Sequence, residues 1–314
     1  MRRHLCLSVF ICGKKSMKHV AKKRFGQNFL TDQSIIASLV DAINPQENQT
    51  LIEIGPGLGA LTKPLLSKIT QLHVVEIDRD IVGWMQSEYA KPAYAKNELI
   101  IHNVDALKFD FSSLTRISSS LTMEARQQGQ GDEMVHKVQR EAENAANAAD
   151  APKMQKLRVT GNLPYNISTP ILFHLLENLP TIIDMHFMLQ KEVVERMVAQ
   201  PSTPAYGRLS VMLQYYLHME YLFTVPPEAF DPAPKVESAF VRCVPHASLP
   251  FVAKDTALFA KVVLQAFSQR RKTLRNTLKG MLDDAGFVQL DISSQLRAEN
   301  LSVAQFVAIS NHLS

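Results

Sequence analysis

The tetrapeptide Asn162-Leu163-Pro164-Tyr165 contains the side chains with the most specific chemical use in this sequence. It follows the apolar segment Leu157–Thr160, which is predicted to be a strand. The carboxamide oxygen of Asn162 and the backbone carbonyl before the proline can both accept hydrogen bonds from an exocyclic amine. Two such bonds draw the amine hydrogens out of the ring plane and localise the nitrogen lone pair for in-line attack on an electrophilic methyl group. Tyr165 offers a face for base stacking, although the tetrapeptide alone is better explained as a turn with a core tyrosine.

A glycine-rich turn, Gly55-Pro-Gly57-Leu-Gly59, lies between a predicted strand over Thr50–Ile54 and a predicted helix over Ala60–Lys68. Glycines allow positive φ and let the backbone approach a ligand, and nucleotides bind in this crevice of open α/β sheets. The spacing meets the dinucleotide fingerprint only loosely, through Gly55, Gly57 and Ala60. The glycines alone are therefore a weak indication of a nucleotide site.

Two carboxylates follow the next two predicted strands. Glu76 comes 21 residues after Gly55, at the end of the strand Leu72–Ile77, where it can accept both hydroxyls of a ribose. Asp105 follows the strand Glu98–His102 and is placed to take an adenine amino group. Both could be helix caps instead. Three successive strand ends that each offer a suitable group nevertheless favour an adenine nucleoside as the ligand.

Apolar periodicity predicts that strands and helices alternate through the first two thirds of the chain. This alternation implies parallel strands, right-handed crossovers and helices on both faces of the sheet. Besides the segments above, it predicts a strand over Met185–Leu189 and helices over Ser34–Ile43, Ile81–Tyr89, Ile171–Leu179 and Glu192–Gln200.

Two regions depart from this alternation. The stretch between Ser112 and Lys156 has no aromatic residue and is predicted to be a surface insertion with a helix over Asp132–Ala149. After Pro250 only helical periods occur, which predicts a small helical second domain. Its helices are predicted over Leu258–Gln269, Lys272–Leu282 and Val303–Leu313.

Composition limits the class of protein. With 314 residues, 46% hydrophobic and 20% charged, the chain can bury a large core and a smaller one, and it is neither collagen-like nor disordered as a whole. No apolar run approaches the roughly 18 residues of a membrane span. Three scattered cysteines exclude a disulfide framework and a zinc site, so we expect no metal and a cytoplasmic location. The first sixteen residues are interpreted as a cytosolic extension, or as the result of a start codon assigned upstream of Met17.

The net charge of +4 is unevenly distributed. Eight Lys and Arg precede the first acidic residue, Asp32, and six lie in the acid-free interval between Asp255 and Asp283. Such blocks attract nucleic acid because each neutralised phosphate releases counterions. A solvated helix face explains the charge alone equally well.

Taken together, several motifs resemble those of the ribosomal RNA adenine dimethyltransferases, and of the bacterial small-subunit enzymes in particular. The resemblance runs from about Lys18 to the C-terminus and leaves out the first sixteen residues and an insertion within Arg116–Lys156. The motifs are FGQNFL (Phe25–Leu30), EIGPGLG (Glu53–Gly59), VEID (Val75–Asp78), GNLPYNIST (Gly161–Thr169), FMLQKEV (Phe187–Val193), FDPAPKVES (Phe230–Ser238), QRRKTLRN (Gln269–Asn276) and RAENLSVAQF (Arg297–Phe306).

The resemblance implies transfer of two methyl groups from S-adenosylmethionine to N6 of each of two adjacent adenosines, in the 3′-terminal hairpin of 16S rRNA. The substrate would be an assembling small ribosomal subunit. The target adenine would be held by Asn162, Leu163, Pro164 and Tyr165, with Phe230 stacking on its other side. The implied cofactor contacts are Asn28, Leu30, Gly55, Gly57, Glu76, Asp105 and Asn162.

The resemblance also implies a domain layout. A disordered extension over 1–16 precedes a Rossmann-like methyltransferase domain over 17–247, which carries the insertion 116–156, and a helical RNA-binding domain over 248–314. We expect a monomer that does not contact membranes. The predicted helix Lys272–Leu282 would direct Phe267, Leu274, Leu278 and Leu282 inward and three cations towards RNA. The predicted RNA contacts are Arg271, Arg275 and Lys279, together with Lys22, Lys23 and Arg24 near the N-terminus.

Four alternatives remain open at this point. Resistance methyltransferases of the large subunit share the NLPY-type site, although the C-terminal motifs argue against them. Methyltransferases that act on protein glutamine or small molecules usually have Asn-Pro-Pro in place of Asn162-Leu163-Pro164. The protein could instead act chiefly as an assembly factor that occupies the immature subunit. A nicotinamide dehydrogenase fits the fold only.

Overall fold

The computed structural model describes residues 28–94, 97–114 and 156–314. The predicted helix Asp132–Ala149, the basic residues Lys22, Lys23 and Arg24, and the extension 1–16 lie outside this part of the chain. The strands are β1 (Phe29–Leu30), β2 (Thr50–Ile54), β3 (Gln71–Val75), β4 (Glu98–His102), β5 (Leu157–Asn162), β6 (Ile182–Gln190), β7 (Leu217–Val225), β8 (Phe230–Asp231) and β9 (Ser238–Pro245). The α-helices are α1 (Gln33–Ile43), α2 (Thr62–Leu66), α3 (Arg79–Tyr89), α4 (Ser168–Leu176), α5 (Lys191–Val198), α6 (Arg208–Tyr216), α7 (Thr256–Ala266), α8 (Leu274–Thr277), α9 (Asp284–Gln289) and α10 (Val303–Leu313).

The residues at the two ends of helix α1 explain where it begins and ends. The Asp32 side chain accepts hydrogen bonds from the backbone N–H groups of Ser34 and Ile35, which would otherwise lack partners. Asn44 ends the helix in the left-handed conformation, with φ 47°, directly before Pro45. The buried face consists of Ile36, Leu39, Val40 and Ile43. The apolar spacing of three and four therefore predicted this element correctly.

Seven strands form one sheet in the order β4-β3-β2-β5-β6-β9-β7. From β4 to β6 neighbouring strands are parallel. The chain runs outward from β2 through β3 to β4 and then returns to β5 on the other side of β2. The crevice at the carboxyl ends of β2 and β5 is thus the topological switch point, where open α/β sheets bind ligands.

The parallel arrangement predicted for the strands β2 to β6 is confirmed, but two further strands extend the sheet beyond β6. Strand β9 is antiparallel to both β6 and β7, and neither β7 nor β9 was predicted. Strand β7 follows α6 without an intervening residue, so no glycine or proline marks the change of conformation. Its sequence, LHMEYLFTV, also mixes polar and apolar residues without strict alternation.

The predicted basic helix Lys272–Leu282 is not continuous. Helix α8 covers only Leu274–Thr277, Gly280 turns the chain with φ 84°, and Asp283 caps the separate helix α9. Arg271, Arg275 and Lys279 therefore do not share one helix face, although all three are exposed. The apolar part of the prediction is correct, since Leu274, Leu278 and Leu282 are buried.

The helical segment packs around a second hydrophobic core, which it shares with residues 199–215. This core joins buried side chains of residues 253–309 to those of residues 199–215. Helix α6 contributes to both cores: Leu209 and Leu213 pack towards the sheet, while Met212 and Tyr215 pack towards the helices. The boundary between residues 247 and 248 stays a prediction. Within the described residues, no helix is long and apolar enough to cross a bilayer.

Candidate active site

A cavity of about 880 Å³ opens at the carboxyl ends of β2 to β5. Strand β1 and the glycine turn after β2 form part of its wall. The structure brings together at this one cavity every residue predicted to contact the cofactor and the whole base-binding tetrapeptide. These residues are Asn28, Leu30, Gly55, Gly57, Glu76, Asp105, Asn162, Leu163, Pro164 and Tyr165.

The glycine turn has the backbone geometry that only glycine adopts without strain. Gly55 and Gly57 have φ values of 67° and 53°, in the left-handed region. A Cβ atom on Gly57 would lie 3.2 Å from the ring of Phe29. The Gly55 N–H donates to the carbonyl of Val75 at 2.9 Å, which fixes the turn against β3. The main chain is therefore open to a ligand at this turn.

Glu76 and Asp105 each line the cavity and also accept a local backbone hydrogen bond. Glu76 is buried, and its Oε1 accepts from the N–H of Asp78 at 2.8 Å. Burial raises the pKa of this carboxyl above its ordinary value. Oδ1 of Asp105 accepts from the N–H of Leu107 at 3.0 Å and caps the short 3-10 helix Ala106–Lys108. Asp105 therefore both caps this short helix and lines the cavity.

A third carboxyl, Glu53, lines the cavity and was not among the predicted site residues. It is only 2% exposed, and its Oε2 accepts a hydrogen bond from the hydroxyl of Thr62 at 2.7 Å. Burial, with a smaller contribution from the charge of Glu76, raises the pKa of Glu53 to about 7. Its sequence context, one acidic residue on an otherwise apolar strand, does not by itself indicate a place in the site. Ile77 and Val104, two apolar lining residues, were also missed.

The cavity wall is acidic. Three carboxyls, Glu53, Glu76 and Asp105, face one lysine, Lys63, among the described residues that line it. This balance favours a cationic ligand and disfavours one that carries a pyrophosphate.

Hydrogen bonds from three parts of the chain hold the tetrapeptide in place. The side-chain amide of Asn162, the last residue of β5, donates to the carbonyl of Asn28 at 3.2 Å, so its oxygen can be presented to a ligand. The Leu163 N–H donates to the carbonyl of Met188 on β6 at 3.1 Å. The hydroxyl of Ser168 donates to the carbonyls of Pro164 and Tyr165. The loop is therefore rigidly placed at the sheet edge.

Phe230 occupies a different place from the other predicted base contacts. It lies in β8, where it pairs with Leu30 of β1, and it is 4% exposed. It is absent from the residues that line the cavity. The N–H of Thr31 donates to the carbonyl of Ala229 at 2.8 Å, so this small sheet fastens the N-terminal wall of the cavity to the segment after β7. The stacking role of Phe230 stays a prediction.

The predicted RNA contacts differ in their surroundings. Arg275 donates to Asp284 at 2.6 Å. Arg271 lines a second, open cavity of about 280 Å³ together with Arg270, Arg297 and Glu299. Among the described residues, no group of three His, Cys, Asp or Glu is arranged to hold a metal ion.

Comparison with known proteins gives consistent results. A family model described as "Ribosomal RNA adenine dimethylase" matches residues 18–314. Two proteins named "Ribosomal RNA small subunit methyltransferase A" are similar along nearly their whole length. The one from Methylobacillus flagellatus is 60% identical over 298 residues, which is 95% of this chain and 100% of that protein. The one from Thiobacillus denitrificans is 51% identical over 296 residues, or 94% and 99% of the two chains.

Two solved structures share the fold. A dimethyladenosine transferase from Plasmodium falciparum has a TM-score of 0.65 at 21% identity, covering 90% of this chain and 95% of that one. The 23S rRNA methyltransferase ErmE has a TM-score of 0.61 at 20% identity, with coverages of 91% and 99%. The Rossmann-like methyltransferase fold with helices on both faces, predicted from the sequence, is confirmed.

Proposed function

Because the chain belongs to the ribosomal RNA adenine dimethylase family, we propose that it dimethylates N6 of two adjacent adenosines in the 3′-terminal hairpin of 16S rRNA. It does so late in the assembly of the small subunit. The observation that carries the proposal is the shared cavity: Asn162-Leu163-Pro164-Tyr165 and the nucleoside-binding groups Glu76 and Asp105 line the same space.

S-adenosylmethionine is the methyl donor of this family, and the cavity suits it. When bound, it supplies a methyl group on a positively charged sulfur, which makes that methyl electrophilic. Glu76 would accept the ribose hydroxyls and Asp105 the adenine amino group, while Ile77 and Val104 supply apolar contacts to the ring. The acidic wall would stabilise the positive charge of the donor. The same wall would repel a pyrophosphate, which argues against the nicotinamide dehydrogenase alternative.

The tetrapeptide would activate the target amine by geometry. The carboxamide oxygen of Asn162 and the carbonyl oxygen of Leu163 would each accept a hydrogen bond from one N–H of N6. These two bonds would turn the nitrogen lone pair towards the donor methyl. Tyr165 stacks on the base and keeps it in line. No general base is required, since the nitrogen proton becomes acidic once the nitrogen has been alkylated.

The name of the relatives supports the small subunit as substrate, since both are called small-subunit methyltransferases. The exposed arginines Arg270, Arg271 and Arg297 border one open cavity in the helical region and are suited to contact phosphates. We include in the proposal that the protein acts as a monomer in the cytoplasm, where small subunits assemble.

Methyl transfer from labelled S-adenosylmethionine tests the proposal. The acceptors are small subunits from a strain that lacks this modification, unmodified large subunits, and free rRNA. We expect label as dimethyladenosine in the small subunit only, and more label in immature than in mature small subunits. Label in large subunits would favour the resistance-type activity instead. If no acceptor is labelled, the proposed activity is overturned, and the role of an assembly factor without methyl transfer is the alternative to test next.

A further inference from the structure

Among the described residues, the hydroxyl of Tyr165 has one hydrogen-bond partner, which lies on β9, two strands away from β5 in the sheet. Its oxygen is 2.9 Å from Oγ of Ser238. Tyr165 lines the cavity, whereas Ser238 is only 1% exposed and does not. The contact joins the loop after β5 to the first residue of β9, and the two residues are 73 positions apart. Ser238 thus touches the predicted base-stacking ring without access to the base.

Ser238 is held firmly in place. It is the first residue of β9, the strand between β6 and β7, and it pairs with Gln190 on one side and Val225 on the other. The preceding residue, Glu237, accepts hydrogen bonds from Lys191, through its carbonyl at 3.0 Å and its carboxylate at 2.8 Å. The serine hydroxyl is therefore attached to a strand that is paired on both edges.

A tyrosine held only by its backbone can still turn about χ1 and χ2, and the second of these has a broad, two-fold minimum. The backbone end of Tyr165 is fixed, because its carbonyl accepts from the hydroxyl of Ser168 at 3.0 Å. A hydrogen bond at the phenolic end fixes the remaining freedom. We infer that Ser238 is a positioning residue that sets the plane of the Tyr165 ring for stacking on the target adenine.

This inference rests on the proposed function, and it applies most strongly to the second methyl transfer. An unmodified adenine offers two N–H donors to the oxygens of Asn162 and Leu163. A monomethylated adenine has one N–H left, so one of these hydrogen bonds is lost. Stacking must then contribute more to the orientation of the base. A loosely oriented Tyr165 ring therefore slows the second transfer more than the first.

Two variants each remove one hydroxyl from the pair: Ser238→Ala and Tyr165→Phe. The matched control is Thr224→Val, since Tyr221 and Thr224 on β7 form the same kind of hydroxyl pair, 2.7 Å apart, away from the cavity. Each protein is assayed on small subunits from the strain that lacks the modification. Mono- and dimethyladenosine are separated by mass spectrometry, and melting temperature and KM for S-adenosylmethionine are measured in parallel.

For both pair variants we expect kcat of the second transfer to fall about fivefold, the cost of one lost orienting hydrogen bond, with accumulation of monomethyladenosine. KM for S-adenosylmethionine and binding to subunits should stay within about twofold of the parent. The double variant should be no slower than Tyr165→Phe alone. Thr224→Val should match the parent.

Unchanged mono- to dimethyladenosine ratios in both pair variants would overturn the inference while leaving the proposed function intact. The same holds if Thr224→Val accumulates monomethyladenosine to the same extent, because the effect would then be general. Should Ser238→Ala fail to fold, Tyr165→Phe decides alone, since it removes one oxygen from a half-buried ring. An inactive parent enzyme would overturn both proposals.

Discussion

Glu53 is a buried carboxyl whose pKa is raised to about 7 by burial and by the charge of Glu76. A raised pKa in the folded state means that the neutral form is preferred. The contribution of neutral Glu53 to the free energy of unfolding is fully present below its ordinary pKa of 4.5. This contribution is lost as pH rises through the folded-state pKa of about 7. Binding of a cationic donor has the opposite dependence, because it favours the ionised carboxylate.

We therefore expect the affinity for S-adenosylmethionine to be about fivefold weaker at pH 6 than at pH 8, and Glu53→Gln to flatten this dependence. Isothermal titration calorimetry at the two pH values measures it. The amino group of the ligand titrates equally with both proteins, so the difference between them reports Glu53. Parallel curves for parent and variant would contradict the assignment.

Asn162 separates catalysis from subunit binding. We expect Asn162→Ala to lower kcat at least about 100-fold, because it removes an acceptor aimed at the reacting amine. Binding to immature small subunits, followed by sedimentation, should be unchanged, since the cations proposed to contact phosphates lie elsewhere. A variant that loses both functions would argue against a separate role in assembly.

Among the secondary structure elements, the end of α1 is fastened to β5 and β6 by one buried ion pair. Arg158 donates two hydrogen bonds to Asp184, at 2.7 and 2.8 Å, and two more to the carbonyls of Ile43 and Asn44. We expect Asp184→Asn to lower the free energy of unfolding by about 3–5 kcal/mol, because the arginine charge stays buried without its partner. Urea denaturation measures this change.

The control is the exposed pair between Lys68 and Asp41, 3.5 Å apart. Asp41→Asn should change the free energy of unfolding by less than about 1 kcal/mol. Equal effects of the two substitutions would show that the buried pair has no special part in fastening α1.

Because the predicted helix 272–282 is interrupted, we do not expect its cations to contribute equally to subunit binding. Arg275 is already paired with Asp284, whereas Arg271 borders the open cavity with two other arginines. We expect Arg271→Ala to weaken subunit binding more than Arg275→Ala and to reduce the dependence on salt concentration by about one unit of log–log slope. Filter binding at several salt concentrations tests this, and equal losses would contradict it.

The elements that sequence predicted well are those whose apolar period is regular and whose ends are marked. Helix α1 has both properties, and the strand Glu98–His102 was predicted to the residue. Strand β7 has neither property, and Gly280 interrupts an apolar period that otherwise continues to Leu282. At the site, Glu76 and Asp105 could be found because they follow strand ends. Glu53 could not, because its significance depends on burial beneath the turn, which spacing does not reveal.

In the molecule as a whole, the segment predicted to be an insertion falls between Leu114 and Lys156, where the description of the chain stops and resumes. The described residues that line the cavity and form the helical core all lie outside this segment. We expect deletion of 129–149 to leave methyl transfer to small subunits within about twofold of the parent, since no described site residue is removed. Circular dichroism confirms folding of the deletion variant, and a large loss of turnover with normal folding would disprove the expectation.

The pairing of β1 with β8 also sets an order of events during synthesis. Thr31 and its partner Ala229 are 198 residues apart, so at a translation rate of about 5–20 residues per second the first strand waits roughly 10–40 s for its partner. Until then this pairing cannot fasten the N-terminal wall of the cavity. We therefore expect a nascent chain to complete this wall of the cavity only after Ala229 has been synthesised, late in translation.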